Sequence, residues 1–256
     1  MQEQLLYMDI TKYLKRINYH GKKMIDEETM MLLHEHHVLH VPFENLDIHL
    51  NRLFDLKLSN IYKKIVINNR GGFCYELNAL FCELLCNMGF KSRIIAARIF
   101  DDLGNLGPEY DHMAIYIETD KKYLADVGFG DLFTKPLEMR DGIQSDGRNL
   151  FKIEKINEQD FVLSMCSDQL NFQKKYTFNL NTVKINDFNQ ICLDKQNNPQ
   201  SYFVKNTICT KLTHSGRLTL FNDKIIEKRG KDRFERLINE SELKAELKTL
   251  FGFDLE

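Results

Sequence analysis

The sequence has no tryptophan, only four prolines in 256 residues, and no stretch of about 18 consecutive apolar residues. The last absence argues against a membrane-spanning helix. It also lacks charge of one dominant sign: 35 Lys and Arg face 37 Asp and Glu, a formal net charge of −2. A general nucleic-acid or membrane-surface binder would need a basic excess, so neither partner is expected, although a local basic pocket for an anionic ligand is compatible with that balance. The six cysteines form no CxxC pair, so neither a thiolate zinc site nor a disulfide framework is indicated and reduced thiols are expected. No GxGxxG or Walker-type GK[ST] motif occurs. The N-terminal MQEQLLYMDITKYLKRI lacks the basic-then-apolar layout of a signal peptide, which points to a cytoplasmic protein.

What the chain does have is a glycine-hinged entry into a helix, Arg70-Gly71-Gly72-Phe73-Cys74-Tyr75-Glu76-Leu77-Asn78. Apolar residues at Leu77, Leu80, Phe81, Leu84, Leu85 and Met88 give a helix with one buried face, stopped by Gly89. Cys74 falls in its first turn. Unpaired backbone N–H groups and the positive end of the helix dipole favour a thiolate there, the state a nucleophile needs. The alternative is a small buried hydrophobe, the commonest fate of a free cysteine.

Residues 1–90 read as mostly helical, with starts at Asp9, at Asp26 near Thr29, and at Ser59. Val41-Pro42-Phe43-Glu44-Asn45-Leu46 interrupts them as a connecting loop. From residue 92 the period changes to short strands: 93–100, 112–118, 123–127, 150–156, 161–166 and 176–180, a β-rich barrel or sandwich. Strands over 202–209, 217–221 and 224–227 follow, with a final helix from Asn239 that uses Glu242 as a capping box. The compositional shifts near 90 and 195 divide the chain into 1–90, 91–195 and 196–256.

A thiolate needs an imidazole, and the imidazole needs a group to hold its ring. His112 opens a strand, and Asp126 closes the next strand of the same hairpin. A turn around 119–122 sets His112 opposite some residue from 127 to 129, so Asp126 is a flanking or diagonal neighbour, with the register left open. The hairpin runs into Gly128-Phe129-Gly130, where small residues let backbone approach a ligand and N–H groups could meet phosphates. Other features have plainer readings. His36 and His40 lack the HExxH pattern and read as helix-end histidines rather than metal ligands, and Cys82 with Cys86 reads as packing. The basic residues between 224 and 236 alternate with acids as a solvated face, and Asp47 and Asp55 show no pairing pattern.

RGGFCYELN with Cys74, DHMAIYI with His112 and YLADVGFG with Asp126 resemble the arylamine N-acetyltransferases, in that family's Cys, His, Asp order. YLKRI at 13–17, VPFENLDI at 41–48, NPQSYF at 198–203 and Gly216-Arg217-Leu218-Thr219-Leu220 also resemble family segments, so the likeness covers the whole chain. The resemblance implies an α+β fold: an N-terminal helical bundle, a central β-barrel and a C-terminal α/β lid, with a papain- or transglutaminase-like catalytic core. It implies Cys74 as acetyl acceptor, His112 as its activating partner and Asp126 as the orienting carboxylate. Gly128, Phe129, Gly130 and Phe203 would meet coenzyme A, while Phe43 and Phe129 would wall the acceptor pocket. The implied reaction is acetyl-CoA-dependent N-acetylation of arylamines and arylhydrazines by a ping-pong cycle, without a metal. A cysteine hydrolase, a transglutaminase-like enzyme or an amide synthase of the same superfamily are the alternatives.

Overall fold

The computed structural model describes residues 8–167 and 171–255. The first seven residues, on which the expectation of no signal peptide partly rests, lie outside it. Helix α1 (Ile10–Arg16) starts where Asp9 accepts from the Lys12 N–H, and α2 (Glu27–His40) where Asp26 accepts from the Thr29 N–H at 2.7 Å. Val41 caps α2 ahead of Pro42. The segment after it is more than a connection, since Phe43–Glu44 forms a strand, β1. Helices α3 (Leu46–His49) and α4 (Leu58–Tyr62) follow, and a wider turn over Lys63–Ile67 extends α4. Ser59 lies inside α4 and does not cap it. Asp55 ties its start instead, accepting from the Lys57 N–H and the Asn60 side chain.

Helix α5 (Cys74–Asn87) is the axis of the molecule. The sequence pattern gives it one buried face, but Cys74 through Cys82 are all buried. The cause is enclosure: helices cover one side and the sheet covers the other. Gly89, at φ +99°, ends it.

The central sheet has eight antiparallel strands: β2 (Lys91–Ile99), β3 (His112–Glu118), β4 (Lys122–Ala125), β5 (Leu137–Glu138), β6 (Ile143–Ser145), β7 (Leu150–Lys155), β8 (Asp160–Cys166) and β9 (Gln173–Asn179). Their order is β5-β4-β3-β2-β9-β8-β7-β6. The two edge strands are bridged by one side chain: the Gln144 amide donates to Glu138 O and its carbonyl accepts from Glu138 N, which brings the sheet close to a closed barrel. β3 is buried on both faces. Met113, Ile115 and Ile117 pack towards α5, while Ala114 and Tyr116 point inward to Phe151, Leu163 and Tyr176.

A one-turn helix over Ile185–Phe188 leads into α6 (Asn189–Asn197), and α7 (Tyr202–Lys205) follows. The strand expected over 202–209 is therefore corrected: Ser201 Oγ accepts from the Phe203 N–H and starts a helical turn, and extended structure begins only at Ile208. A second sheet combines β1 with β10 (Ile208–Thr213), β11 (Gly216–Phe221), β12 (Lys224–Arg229) and β13 (Asp232–Leu237). β13 escapes sequence reading because all six of its residues are exposed, leaving no alternation to detect. Helix α8 (Glu240–Glu246) has the expected Asn239–Glu242 capping box; its last turn, Leu247–Phe251, buries Leu247 and Phe251, with Leu243 and Leu250 half-buried.

Asp47, unpaired in the sequence pattern, belongs to a buried charge cluster at the base of α5. Lys64 Nζ lies 2.7 Å from Asp47, 2.8 Å from Glu76 and 3.8 Å from Glu44, and Arg70 meets Glu44 at 2.7 Å and Asp47 at 3.0 Å. Glu76 in turn accepts from the Phe73 N–H at 2.8 Å, fixing the start of the helix. Removing one cation strands buried carboxylates. Lys64→Met is expected to cost about 3–5 kcal/mol in urea unfolding, and a loss below about 1 kcal/mol would show that the cluster is solvated.

Candidate functional site

Cys74 enters the site because the loop before α5 is pinned to the strand beside it. Gly72 N donates to Pro42 O, and Glu44 N donates to Gly72 O. A Cβ on Gly71 would lie 2.4 Å from Pro42 O, which leaves room only for glycine. With Glu76 satisfying the Phe73 N–H, the Cys74 and Tyr75 N–H groups of the first turn have no intrahelical acceptor.

The hairpin resolves the open register. Its last pair is Ile115 with Ala125; continued, that register sets Ala114 against Asp126 and His112 against Gly128. Asp126 and His112 are thus diagonal neighbours on one face. His112 Nε2 donates to Asp126 Oδ2 at 2.7 Å, with both side chains buried. Nδ1 is then the nitrogen left to exchange a proton with sulfur. Burial pushes the Asp126 carboxyl up, but His112, Asn78 and the Gly128 N–H pull harder, and it sits below the usual carboxylate range.

Two residues that sequence reading passes over hold this carboxylate in place. Asn78, one turn beyond Cys74 on α5, donates to Asp126 Oδ1 at 2.9 Å and to Met113 O at 2.6 Å, and accepts from the Val127 N–H at 2.9 Å. Its i+4 spacing from the nucleophile is the signal that could have found it. His34 on α2 donates from Nδ1 to Thr134 O at 2.9 Å and accepts the Asp126 N–H at Nε2 at 3.3 Å. Burial pushes its imidazole down to about 4, so it is neutral and supports that tautomer.

Burial also acts on the nucleophile. It pushes the Cys74 thiol well above its ordinary range, against the lowering by the Lys195 charge. A lone thiolate is therefore costly here, and the charge on sulfur needs a positive partner.

Cys74 and His112 line one cavity of about 430 Å³ together with Phe43, Gly128, Phe129, Gly130 and Phe203. Asp126 stands behind it. The Phe129 ring meets the His112 ring edge-on at 5.4 Å, and Phe203 meets Phe73 edge-on at 4.7 Å. One expectation is narrowed: the Gly128 and Phe129 N–H groups donate to Asp126 Oδ1, at 2.9 and 3.1 Å, and are not available to a phosphate. Asp111, Lys195 and Arg217 add charge to the same cavity; Arg217 donates to Gly130 O and to Thr210 Oγ1. A cleft of similar volume, about 440 Å³, lies between Arg98, Glu109 and Thr177 and is lined by no cysteine or histidine.

Among the described residues, no three His, Cys, Asp or Glu side chains are grouped to hold a metal ion. His36 and His40 direct Nδ1 to the carbonyls of Ile17 and His36. Among the same residues no helix is long and apolar enough to cross a membrane.

The chain matches the N-acetyltransferase family over residues 26–256. It is 29% identical to arylamine N-acetyltransferase 2 of Rattus norvegicus, over 97% of this chain and 95% of that protein. Among solved structures, the arylamine N-acetyltransferase C from Bacillus anthracis superposes with a TM-score of 0.87 at 26% identity, covering 98% of this chain and 99% of that one. The arylamine N-acetyltransferase from Bacillus cereus, described as having a Cys-His-Glu triad, shares the fold with a TM-score of 0.89 at 23% identity, over 97% and 100% of the two chains.

Gly128 is where barrel backbone meets the nucleophile's turn. A Cβ there would lie 2.6 Å from Asn78 Nδ2, 2.7 Å from Cys74 O and 2.9 Å from Cys74 Cα. Gly128→Ala is expected to lower stability by about 2 kcal/mol and turnover at least tenfold, on the order seen when reacting groups are misplaced. Wild-type kcat in a folded variant would refute that tight joint.

Proposed function

The chain belongs to the arylamine N-acetyltransferase family, and we propose that it moves acetyl groups from acetyl-coenzyme A to arylamines and arylhydrazines through Cys74. The observation that carries this reading is the buried His112–Asp126 pair at 2.7 Å, set on one cavity with a cysteine at a helix start. Cys74 attacks the thioester as its proton passes to His112, whose imidazolium is stabilised by Asp126. The thioester carbon–sulfur bond breaks, coenzyme A leaves as the thiol with the proton from His112, and Cys74 carries the acetyl group. One thioester replaces another, so little driving force is needed. The amine then attacks the acetyl-cysteine, His112 takes its proton, and that proton returns to the Cys74 sulfur as the amide departs. The Cys74 and Tyr75 N–H groups stabilise the tetrahedral oxyanion.

Aromatic amines suit this cycle because they are neutral at neutral pH, whereas alkyl amines are mostly protonated and have no free lone pair. Phe43 and Phe129 supply the apolar walls for such a ring, and Phe203 packs beside the coenzyme. Gly128, Phe129 and Gly130 bring backbone close to the coenzyme's pyrophosphate, where the Gly130 N–H and Arg217 are the groups to meet it. No metal is required by this chemistry. The proposed working unit is a cytoplasmic enzyme divided into a helical bundle (1–90), a barrel (91–195) and a lid (196–256), with nucleic acid and membrane outside its partners.

Steady-state assays varying acetyl-coenzyme A against a panel of arylamines and arylhydrazines test the reading. Parallel double-reciprocal lines are expected, with alkyl amines turned over far more slowly. Converging lines, which demand both substrates bound at once, would overturn it.

A further inference from the structure

The cavity holds an ion pair that the triad does not use. Lys195 Nζ lies 2.6 Å from Asp111 Oδ1, and both side chains are largely buried. The pair is fixed at both ends. Lys195 sits on α6, its carbonyl accepts from Ser201 Oγ at 2.7 Å, and its ammonium lies 5.3 Å from the centre of the Phe203 ring. Asp111 immediately precedes β3; its Oδ2 accepts from the Ile99 N–H at 3.3 Å, and its carbonyl accepts from the Tyr75 hydroxyl at 3.0 Å. An exposed pair of this kind would do little, but one inside a largely desolvated site acts on whatever charge forms beside it.

Groups on several elements act on Cys74 through their charge or line its cavity. Lys195 and Cys192 approach from α6, Asp126 from the end of β4 and Asp111 from the start of β3, with His112 lining the same wall and Tyr75 following on α5. Against burial, the strongest pull towards the thiolate comes from Lys195, and it exceeds the opposing push of Asp111. Lys195, Asp111 and Cys74 line the same cavity, which sets the pair beside the sulfur it acts on.

We propose that Lys195 is a positioning residue for the nucleophile: its ammonium, clamped by Asp111 and Phe203 on the cavity wall, is a fixed positive charge that offsets the burial of Cys74. Asp111 sets how much of that charge the sulfur feels. The ammonium favours the thiolate when it attacks and again when it leaves the acetyl group. This rests on Cys74 being the acetyl acceptor.

The two halves of the pair have opposite effects, which gives a readout that a structural role does not produce. Iodoacetamide alkylation of the Cys74 peptide, followed by mass spectrometry across a pH series, separates it from the exposed Cys86. Lys195→Met is expected to slow Cys74 alkylation at neutral pH about tenfold and to move its midpoint to higher pH. Lys195→Arg keeps the charge and stays within about threefold of wild type, whereas Asp111→Asn moves the midpoint to lower pH. An unchanged midpoint in Lys195→Met, or both charge-removing variants moving in the same direction, would overturn the proposal. If Lys195→Met does not fold by circular dichroism, Lys195→Gln and the direction of Asp111→Asn decide it. Wild-type protein incubated with acetyl-coenzyme A is the control. An acetylated Cys74 with no Lys195 effect rejects this inference alone, and an unlabelled Cys74 rejects the nucleophile reading itself.

Discussion

The buried Asp126 carboxylate, placed where helix α5 meets the end of the β3–β4 hairpin, is the constraint on which the site depends. An isolated carboxylate in such a place costs several kcal/mol. Here it accepts from His112 Nε2, Asn78 Nδ2 and the Gly128 and Phe129 N–H groups, each bond to a charged acceptor contributing about 1.5–3 kcal/mol. The same bonds dictate geometry. Through Asn78 the carboxylate is tied to the helix that carries Cys74, through His112 to the strand that opens the hairpin, and through two N–H groups to the loop at the cavity rim. Cys74, His112 and the loop at the cavity rim are thereby joined through one carboxylate, which is how a reactive geometry is held before substrate arrives.

A second tension runs through the nucleophile. The helix start favours a thiolate, while burial opposes it and pushes the thiol up. An enclosed thiol is protected from adventitious oxidants but must be charged on demand. The His112–Asp126 pair provides for that by storing the proton as a stabilised imidazolium. The enclosure has structural sources of its own: helices on one side of α5, β3 on the other, and a buried charge cluster that fixes where the helix begins.

Much of this was legible in the sequence because local periodicity carries it. The apolar series of α5, the glycines on either side of its course and the hairpin from His112 to Ala125 are short-range patterns, and they bring Asp126 beside His112 as a flanking or diagonal neighbour. The register was not legible, because the turn length admits several. β1 is two residues long and has no period to read. The 202–209 segment, rich in aromatic and β-branched residues, reads as a strand, yet Ser201 turns its first part into a helix. His34 reaches Asp126 across 92 residues, and Lys195 reaches Asp111 across 84. Such contacts are products of the finished fold and leave no mark on the local sequence.

The central claim is that this site stores an acetyl group on one sulfur between its two half-reactions. Protein mixed with acetyl-coenzyme A in the absence of any amine, quenched in acid and digested, tests it most directly. The account predicts an acetyl group on the Cys74 peptide, lost when an arylamine is added before the quench. An unlabelled Cys74, or an adduct that forms instead on another cysteine such as Cys86, would contradict it.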